Sequence, residues 1–388
     1  MDFLHATDQL SDLRAGLARF VNDKLIPLEA TLDRTGVVPD NIRKDMADMG
    51  LFGLTIDRAW GGLALSLFDE IVLVTEMGRT SPAFHSVFGT NAGIGSDALS
   101  RQGSQAQKTR YLPQMASGQI ISSLAVTEPQ AGSDVRAIST RADTVPDGFR
   151  LTGQKCYITN ATRADLFTVL ARCEAGLSLF LVDKDTPGLS IGKAERTLGH
   201  LGAPVADVVF DACLIPQEAR LGAPGKGLQI CMSAIDRGRL RVAALCVGMM
   251  RRLVDEAVGQ STQRQQFGKP LAEFQMIQNQ LADCQMDHDA ALALLEHAAL
   301  ATQAAKDTSR ETAVAKLFAS EAVGRVADRV VQIWGGAGYM RDNAPARFFA
   351  DARLMRIYEG TSEIMRLTIA QKMVQQADIG TPEDVDNH

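Results

Sequence analysis

Glu359 stands between an aromatic ring and a glycine, in Tyr358-Glu359-Gly360-Thr361, just before an apolar-periodic run that reads as a helix. Thr361 or Ser362 can cap that helix, because a hydroxyl accepts a hydrogen bond from an unpaired first-turn amide. Glu363 suits the helix dipole. Glu359 lies outside the first turn, so neither effect accounts for it. Gly360 lets the backbone turn sharply or approach another group closely. A carboxylate held there is either a turn residue or a functional group, and the rest of the chain must decide which.

Two polar clusters could supply the rest of a site. In the run 124–135, LAVTEPQAGSDV, an apolar strand stops abruptly at Thr127, and Gly132, Ser133 and Asp134 follow. Hydroxyls and free amides gathered at a strand end suit a polar ring edge or a phosphate. The same residue types also build an elaborate turn. In the run 153–160, GQKCYITN, strand alternation puts Cys156, Ile158 and Asn160 on one face and Tyr157 and Thr159 on the other. An aromatic beside a hydroxyl could stack on and hydrogen-bond to a flat heterocycle. A half-exposed edge strand would look the same.

The fold must bring these three stretches together. Between 2 and 120 apolar residues recur at three and four, as in LSDLRAGLARFVNDKLIPLEATL and FDEIVLVTEMGR, with Gly61-Gly62 and Pro82 as punctuation. From 121 the period falls to two: SSLAVT, GFRLTG, KCYIT, LFTVLARC, LSLFLVD and VADVVFDACLI are short β-type runs, with Asp147-Gly148 and Pro187-Gly188 as turn signals. From 228 long helical patterns return. The expected architecture is α+β: an N-terminal helical domain (1–120), a middle β-barrel or sandwich domain (121–227) and a C-terminal helical bundle (228–388). The tail after Gln376 is acidic and polar and is expected to fray.

Bulk properties narrow the function classes. The 388 residues are 46% hydrophobic, enough for a sizeable core. Net charge is -6 with both signs interspersed, so no nucleic-acid footprint is expected. Apolar stretches break well short of a membrane span, and the start lacks the basic region and apolar core of a signal peptide. The six cysteines are scattered without a Cys-x-x-Cys pair, which suits reduced core residues of a cytoplasmic protein. The histidines show no ligand spacing, so no metal site is expected. No G-x-G-x-x-G follows a strand, which argues against a Rossmann nicotinamide site.

Taken in order, these clusters resemble the acyl-CoA dehydrogenase family. So do DRGR (236–239), RQQFGKPLAEFQ (264–275), QIWGGAGYMRD (332–342) and DARLMRIYEGTSEI (351–364). The resemblance spans essentially the whole chain, including the helix–β–helix order. It implies that the C-terminal domain is a four-helix bundle and that FAD lies between the bundle and the β domain with an acyl thioester against its ring. It implies flavin contacts for Leu124, Ala125, Val126, Thr127, Gly132 and Ser133, with Thr127 on the polar edge. Tyr157 takes a position where many members carry tryptophan, and it keeps a π-face; Ile158 and Thr159 continue that wall. Arg264, Gln275 and the segment Gln332, Ile333, Trp334, Gly335 and Gly336 would reach the FAD of a neighbouring subunit. Thr361, Ser362 and Glu363 would touch cofactor, and Ser133, Asp236, Arg237, Gly238, Arg239 and Gly360 substrate. Arg237 and Arg241 also read as a solvated helix face.

By the same resemblance Glu359 is the base that takes the α-proton of a saturated acyl-CoA, with the β-hydrogen leaving as hydride. Some members place the base on the long helix instead, where this chain has Gly238. Electrons would pass to an electron-transfer flavoprotein, and the assembly would be a homotetramer, a dimer of dimers. A carrier-protein-bound acyl group, or oxidase or monooxygenase chemistry on the same fold, is the alternative; a non-catalytic helical interaction protein is the most distant one. A short or branched acyl group is expected. Residues 83–91 should contribute to the pocket floor, where Phe84 and Phe88, four apart, could shorten the cavity. No arginine lies between Arg79 and Arg101 to meet a dicarboxylic substrate.

Overall fold

The computed structural model describes residues 8–304 and 307–379; the extreme N-terminus and the last part of the acidic tail read above lie outside them. Seven helices come first. They are α1 (Asp8–Phe20), α2 (Glu29–Thr35), α3 (Asp40–Asp48), α4 (Leu67–Met77), α5 (Pro82–Ala92), α6 (Ile94–Gln102) and α7 (Gln105–Ala116). Leu10, Leu17, Val21 and Leu25 recur at helical spacing and are buried. Pro27 has no amide to continue the ladder, and the path passes through a short 3-10 turn, Ile26–Leu28, before α2. The side chain of Ser66 caps α4 and that of Ser104 caps α7, each in a reciprocal capping box.

The middle of the chain is an eight-stranded sheet: β1 (Ser122–Ala125), β2 (Arg141–Val145), β3 (Gly148–Thr159), β4 (Leu166–Cys173), β5 (Gly176–Asp183), β6 (Leu189–Ile191), β7 (Val205–Pro216) and β8 (Arg220–Leu221). Its order is β6-β7-β3-β2-β4-β5-β8, with β1 alongside β4. A single parallel pair, Arg141 with Arg172, joins β2 to β4, so the sheet divides there into two halves, antiparallel except that β1 runs parallel to β4. The halves close on one core, in which the rings of Phe149 and Phe180 meet edge to face at 5.0 Å. GFRLTG and KCYIT, read from the sequence as separate runs, are one strand, β3. Its register with β7 shifts between Lys155 and Ile158. That bulge breaks the alternation and buries Lys155 and Cys156 together. β2 was not legible from its sequence, because its outward face is charged and its run short.

The last part is α8 (Gly227–Gln263), a small hairpin of β9 (Gln265–Gln266) and β10 (Lys269–Pro270), α9 (Gln275–Ala304), α10 (Ser309–Trp334), α11 (Ala344–Met355) and α12 (Ser362–Ile379). α8, α9, α10 and α12 are the long helices of the bundle, and α8 is the spine on which α4, α6, α9, α10 and α11 pack. Small residues on α8 permit the closest of these approaches: an added Cβ at Gly248 would lie 2.1 Å from the carbonyl oxygen of Thr75 on α4. One hydrophobic core therefore runs from the N-terminal helices into the bundle. Among the described residues, no helix is long and apolar enough to cross a membrane.

Candidate active site

α5, α8, the end of β3, the loop after β1 and the turn at 358–360 surround one cleft of about 290 Å³. Glu359 lies on its wall in the left-handed region, φ 54°, which costs energy for a non-glycine residue and marks a conformation imposed by its surroundings. The imposing groups are visible. Arg239 Nε donates to the Glu359 carbonyl at 3.1 Å. Lys316 Nζ, buried on α10, donates to the Gly360 carbonyl at 2.7 Å. Gly360 itself has φ 93°, and an added Cβ there would be 2.7 Å from Met365. Thr361 accepts from the Ile364 amide at 3.3 Å and caps α12, as expected for that residue. Ser362 is buried and its hydroxyl has no hydrogen-bond partner among the described residues.

The Glu359 carboxyl occupies the space that a side chain at 238 would take: a Cβ on Gly238 would lie 2.9 Å from its Cδ. Burial raises its pKa, and Arg239, Arg241 and Lys316 only partly oppose that, leaving it at about 7. Burial likewise pushes the Lys316 ammonium down to about 8. The Glu359 amide donates to nothing among the described residues. A carboxyl whose pKa lies near neutrality and an unused donor thus sit on one residue.

Across the cleft stand Leu124, Val126, Thr127, Gly132, Ser133, Tyr157, Ile158 and Thr159. Tyr157 is also left-handed, φ 57°, at the β3 bulge, and is 69% exposed. The loop and the strand are tied together. Cys156 donates its amide to the Thr127 carbonyl at 2.9 Å. Lys155 Nζ reaches the Val126 carbonyl and Glu128 Oε1, both at 2.9 Å, with neither charged side chain open to solvent. Glu128 also accepts from the amides of Ser139, at 2.6 Å, and Thr140, at 2.9 Å. Burial alone would raise its pKa, but the bonds from Ser139, Thr140 and Lys155 hold it at about 2. Asn160 links this wall to α5, donating to the Ser86 carbonyl at 2.7 Å. An exposed phenol ring, two threonine hydroxyls and the open space beside Gly132 fit a flat heterocycle with a polar edge.

Other expected site residues fall elsewhere. Ala125 is fully buried under the sheet, and Ile333 points into the bundle core. Glu363 is exposed at the start of α12. Arg264, Gln275, Gln332, Gly335 and Gly336 are exposed on this chain's surface and Trp334 is half-buried there; none lines the cleft. Asp236 pairs with Arg239 instead of lining the cleft. The solvated-face reading of Arg237 and Arg241 is overturned. Arg241 is buried and bidentate to Glu70, 2.8 Å for each bond, with a third bond of 2.9 Å to Asp97, and Arg237 joins Asp97 at 3.2 Å. Phe84 and Phe88 do not shorten the cleft. Both are core residues, and Phe88 packs edge-on to Phe52. The opposite face of α5 lines the cleft instead, with His85, Ser86, Gly89 and Thr90.

Sequence reasoning also missed Lys316, Lys155, Glu128 and His85. Lys316 and His85 are polar residues inside apolar-periodic helical runs, Glu128 was read only as part of a polar turn, and Lys155 is turned inward by a bulge that strand alternation does not foretell.

Comparison with known proteins covers nearly the whole chain. The descriptions "Acyl-CoA dehydrogenase, N-terminal domain", "middle domain" and "C-terminal domain" match residues 7–119, 123–213 and 225–374. An acryloyl-CoA reductase (NADH) of Anaerotignum propionicum is 37% identical, over 97% of each chain. The solved butyryl-CoA dehydrogenase of Megasphaera elsdenii is 32% identical, with a TM-score of 0.92, covering 96% of this chain and all of that one. PigA, solved with FAD and proline, is 28% identical with a TM-score of 0.93, over 97% of this chain.

Proposed function

The chain belongs to the acyl-CoA dehydrogenase family, and on that premise we propose that it removes hydrogen across the Cα–Cβ bond of a short acyl-CoA, with Glu359 as the base. The observation that carries this is the carboxyl of Glu359, set on the wall of the cleft that Tyr157 and Thr159 also line, with burial raising its pKa to about 7. When bound, FAD, the family's cofactor, would supply the hydride-accepting chemistry for the β-hydrogen.

This chain's residues do the remainder. An α-proton beside a thioester is weakly acidic, so its removal needs a base stronger than a solvated carboxylate, which burial supplies. The charge that develops on the thioester oxygen needs a donor, and the free amide of Glu359 is one. Arg239 and Lys316 fix the turn that presents both groups. Gly238 leaves the carboxyl its place. Thr127, Tyr157 and Thr159 would hold the isoalloxazine, with Gly132 and Ser133 beside it. Arg264, Gln275 and residues 332–336, exposed here, fit contacts to a cofactor in a second copy of the chain. An electron-transfer flavoprotein is the proposed acceptor and a homotetramer the proposed assembly.

The test is anaerobic bleaching of the flavin by acyl-CoAs in the wild type and in Glu359→Gln. The amide is nearly isosteric but cannot take a proton. Bleaching is expected to slow by roughly 10²–10⁴-fold while FAD content is kept. A variant that bleaches at the wild-type rate would show Glu359 to be structural.

A further inference from the structure

The cleft does not end at Glu359. Along α8, Arg241, Val242 and Leu245 follow Gly238 on the same face at one- and two-turn spacings, and all three line the cleft. Facing them are His85, Ser86 and Gly89 of α5. This inner end is closed: Arg241, Val242 and Leu245 are all buried, in contrast to Tyr157 at the mouth.

Val242, Leu245 and Gly89 suit a hydrocarbon chain, and the polar group of Ser86 is already used, its Oγ donating to the Pro82 carbonyl at 3.3 Å. His85 is the exception. It is 9% exposed, and its exposed part faces the cleft. The ring is packed on two sides. It meets the Phe88 ring edge-on at 5.1 Å and lies against Gly89, where an added Cβ would be 2.4 Å from its Cε1. Neither ring nitrogen has a hydrogen-bond partner among the described residues; only charges act on it. Burial, then Arg241 and His200, lower its pKa to about 3, so at neutral pH it offers one donor and one acceptor. The nearby guanidinium of Arg241 is already engaged by Glu70 and Asp97. With Arg237 the cluster holds two cations against two carboxylates, which leaves no free positive charge for an acidic substrate.

We propose that this inner end selects an acyl group whose distal end carries an uncharged hydrogen-bonding group, a hydroxyl above all, and that His85 is the residue that reads it. The inference rests on the thioester reading given above. A plain alkyl end would strand a buried polar ring, and a site built to hydrogen-bond one group discriminates strongly against the analogue lacking it.

The test uses the FAD-loaded enzyme with an artificial electron acceptor. Its substrates are CoA thioesters of four to six carbons, each as the plain chain, the terminal alcohol and the terminal carboxylate. The alcohol is expected to exceed the plain chain in kcat/KM by about tenfold or more at one length, with the carboxylate poorest. His85→Leu is expected to bring the alcohol-to-plain ratio close to one, and His85→Gln, which keeps a donor and an acceptor, to retain part of it. Equal kcat/KM for alcohol and plain chain in the wild type, a preference for the carboxylate, or an unchanged ratio in His85→Leu would overturn the proposal. Should the leucine variant fail to fold, the wild-type ratios decide alone. Failure of every CoA thioester to bleach the flavin would instead reject the thioester reading, and this inference with it.

Discussion

At pH 7 a carboxyl with a pKa of about 7 is divided between its two forms. Flavin reduction is therefore expected to rise with pH between about 6 and 8 and then level off. The same shift acts on stability. The folded pKa lies above the ordinary value of 4.5, so folding favours the protonated form, and stability is lost as pH rises from about 4.5 through about 7. Glu359→Gln should accordingly raise Tm at pH 8, by the equivalent of about 1–3 kcal/mol, and leave it unchanged at pH 4; thermal scans at the two pH values check this. Gly238→Ala tests the other side of the same contact. Its new Cβ would meet the carboxyl at 2.9 Å, and a base displaced by about 1 Å is expected to cost roughly 10²-fold in reduction rate. Lys316→Met removes a cation that lowers the Glu359 pKa, so the apparent pKa of the rate profile should move upward.

At the scale of elements, the wall opposite Glu359 depends on one buried ion pair. Lys155 and Glu128 join the β3 bulge to the loop after β1. Removing one partner of such a pair leaves an uncompensated charge inside the protein. Lys155→Met is expected to lower stability by roughly 3 kcal/mol in urea unfolding and to loosen FAD, read as flavin lost on dialysis. Glu128 keeps its Ser139 and Thr140 bonds in that variant, so the low end of the range for broken buried pairs applies. Its folded pKa of about 2 lies below the ordinary 4.5, so its contribution is present above about pH 4.5 and is lost as pH falls toward 2.

For the whole molecule, the surface matters more than the cleft. Phe267 sits at the tip of the β9–β10 hairpin, in the left-handed region beside Gly268, and is 94% exposed. Its ring meets that of the half-buried Phe274 at 6.3 Å, so the two present apolar surface together beside a short turn. Phe267 lies three residues after Arg264, one of the exposed residues read as reaching a neighbour's cofactor. Phe267→Asp is expected to give a smaller species in analytical ultracentrifugation and to lose FAD together with assembly. A flavin-loaded monomer would separate the two properties and remove the shared-site reading.

Period and turn chemistry are local, and so the helix–β–helix order, the two faces of the Tyr157 strand and the cap at Thr361 could be read from the residues themselves. Glu359 stood out because capping and dipole effects did not account for it. Tertiary contact decided the rest. Nothing near Gly238 in the chain indicates that its missing side chain makes room for Glu359, and nothing near Lys316 indicates that it holds the Gly360 carbonyl. Arg241 looked like a solvated helix residue until the fold set Glu70 and Asp97 around it. α5 illustrates the limit most directly. Its composition shows that one face is buried, but which face meets the core and which meets the cleft depends on how α5 is rotated against α8. That rotation put Phe84 and Phe88 inside and turned His85 toward the cleft. Burial, charge pairing and steric room belong to neighbours far along the chain, so they exist only once the chain has folded.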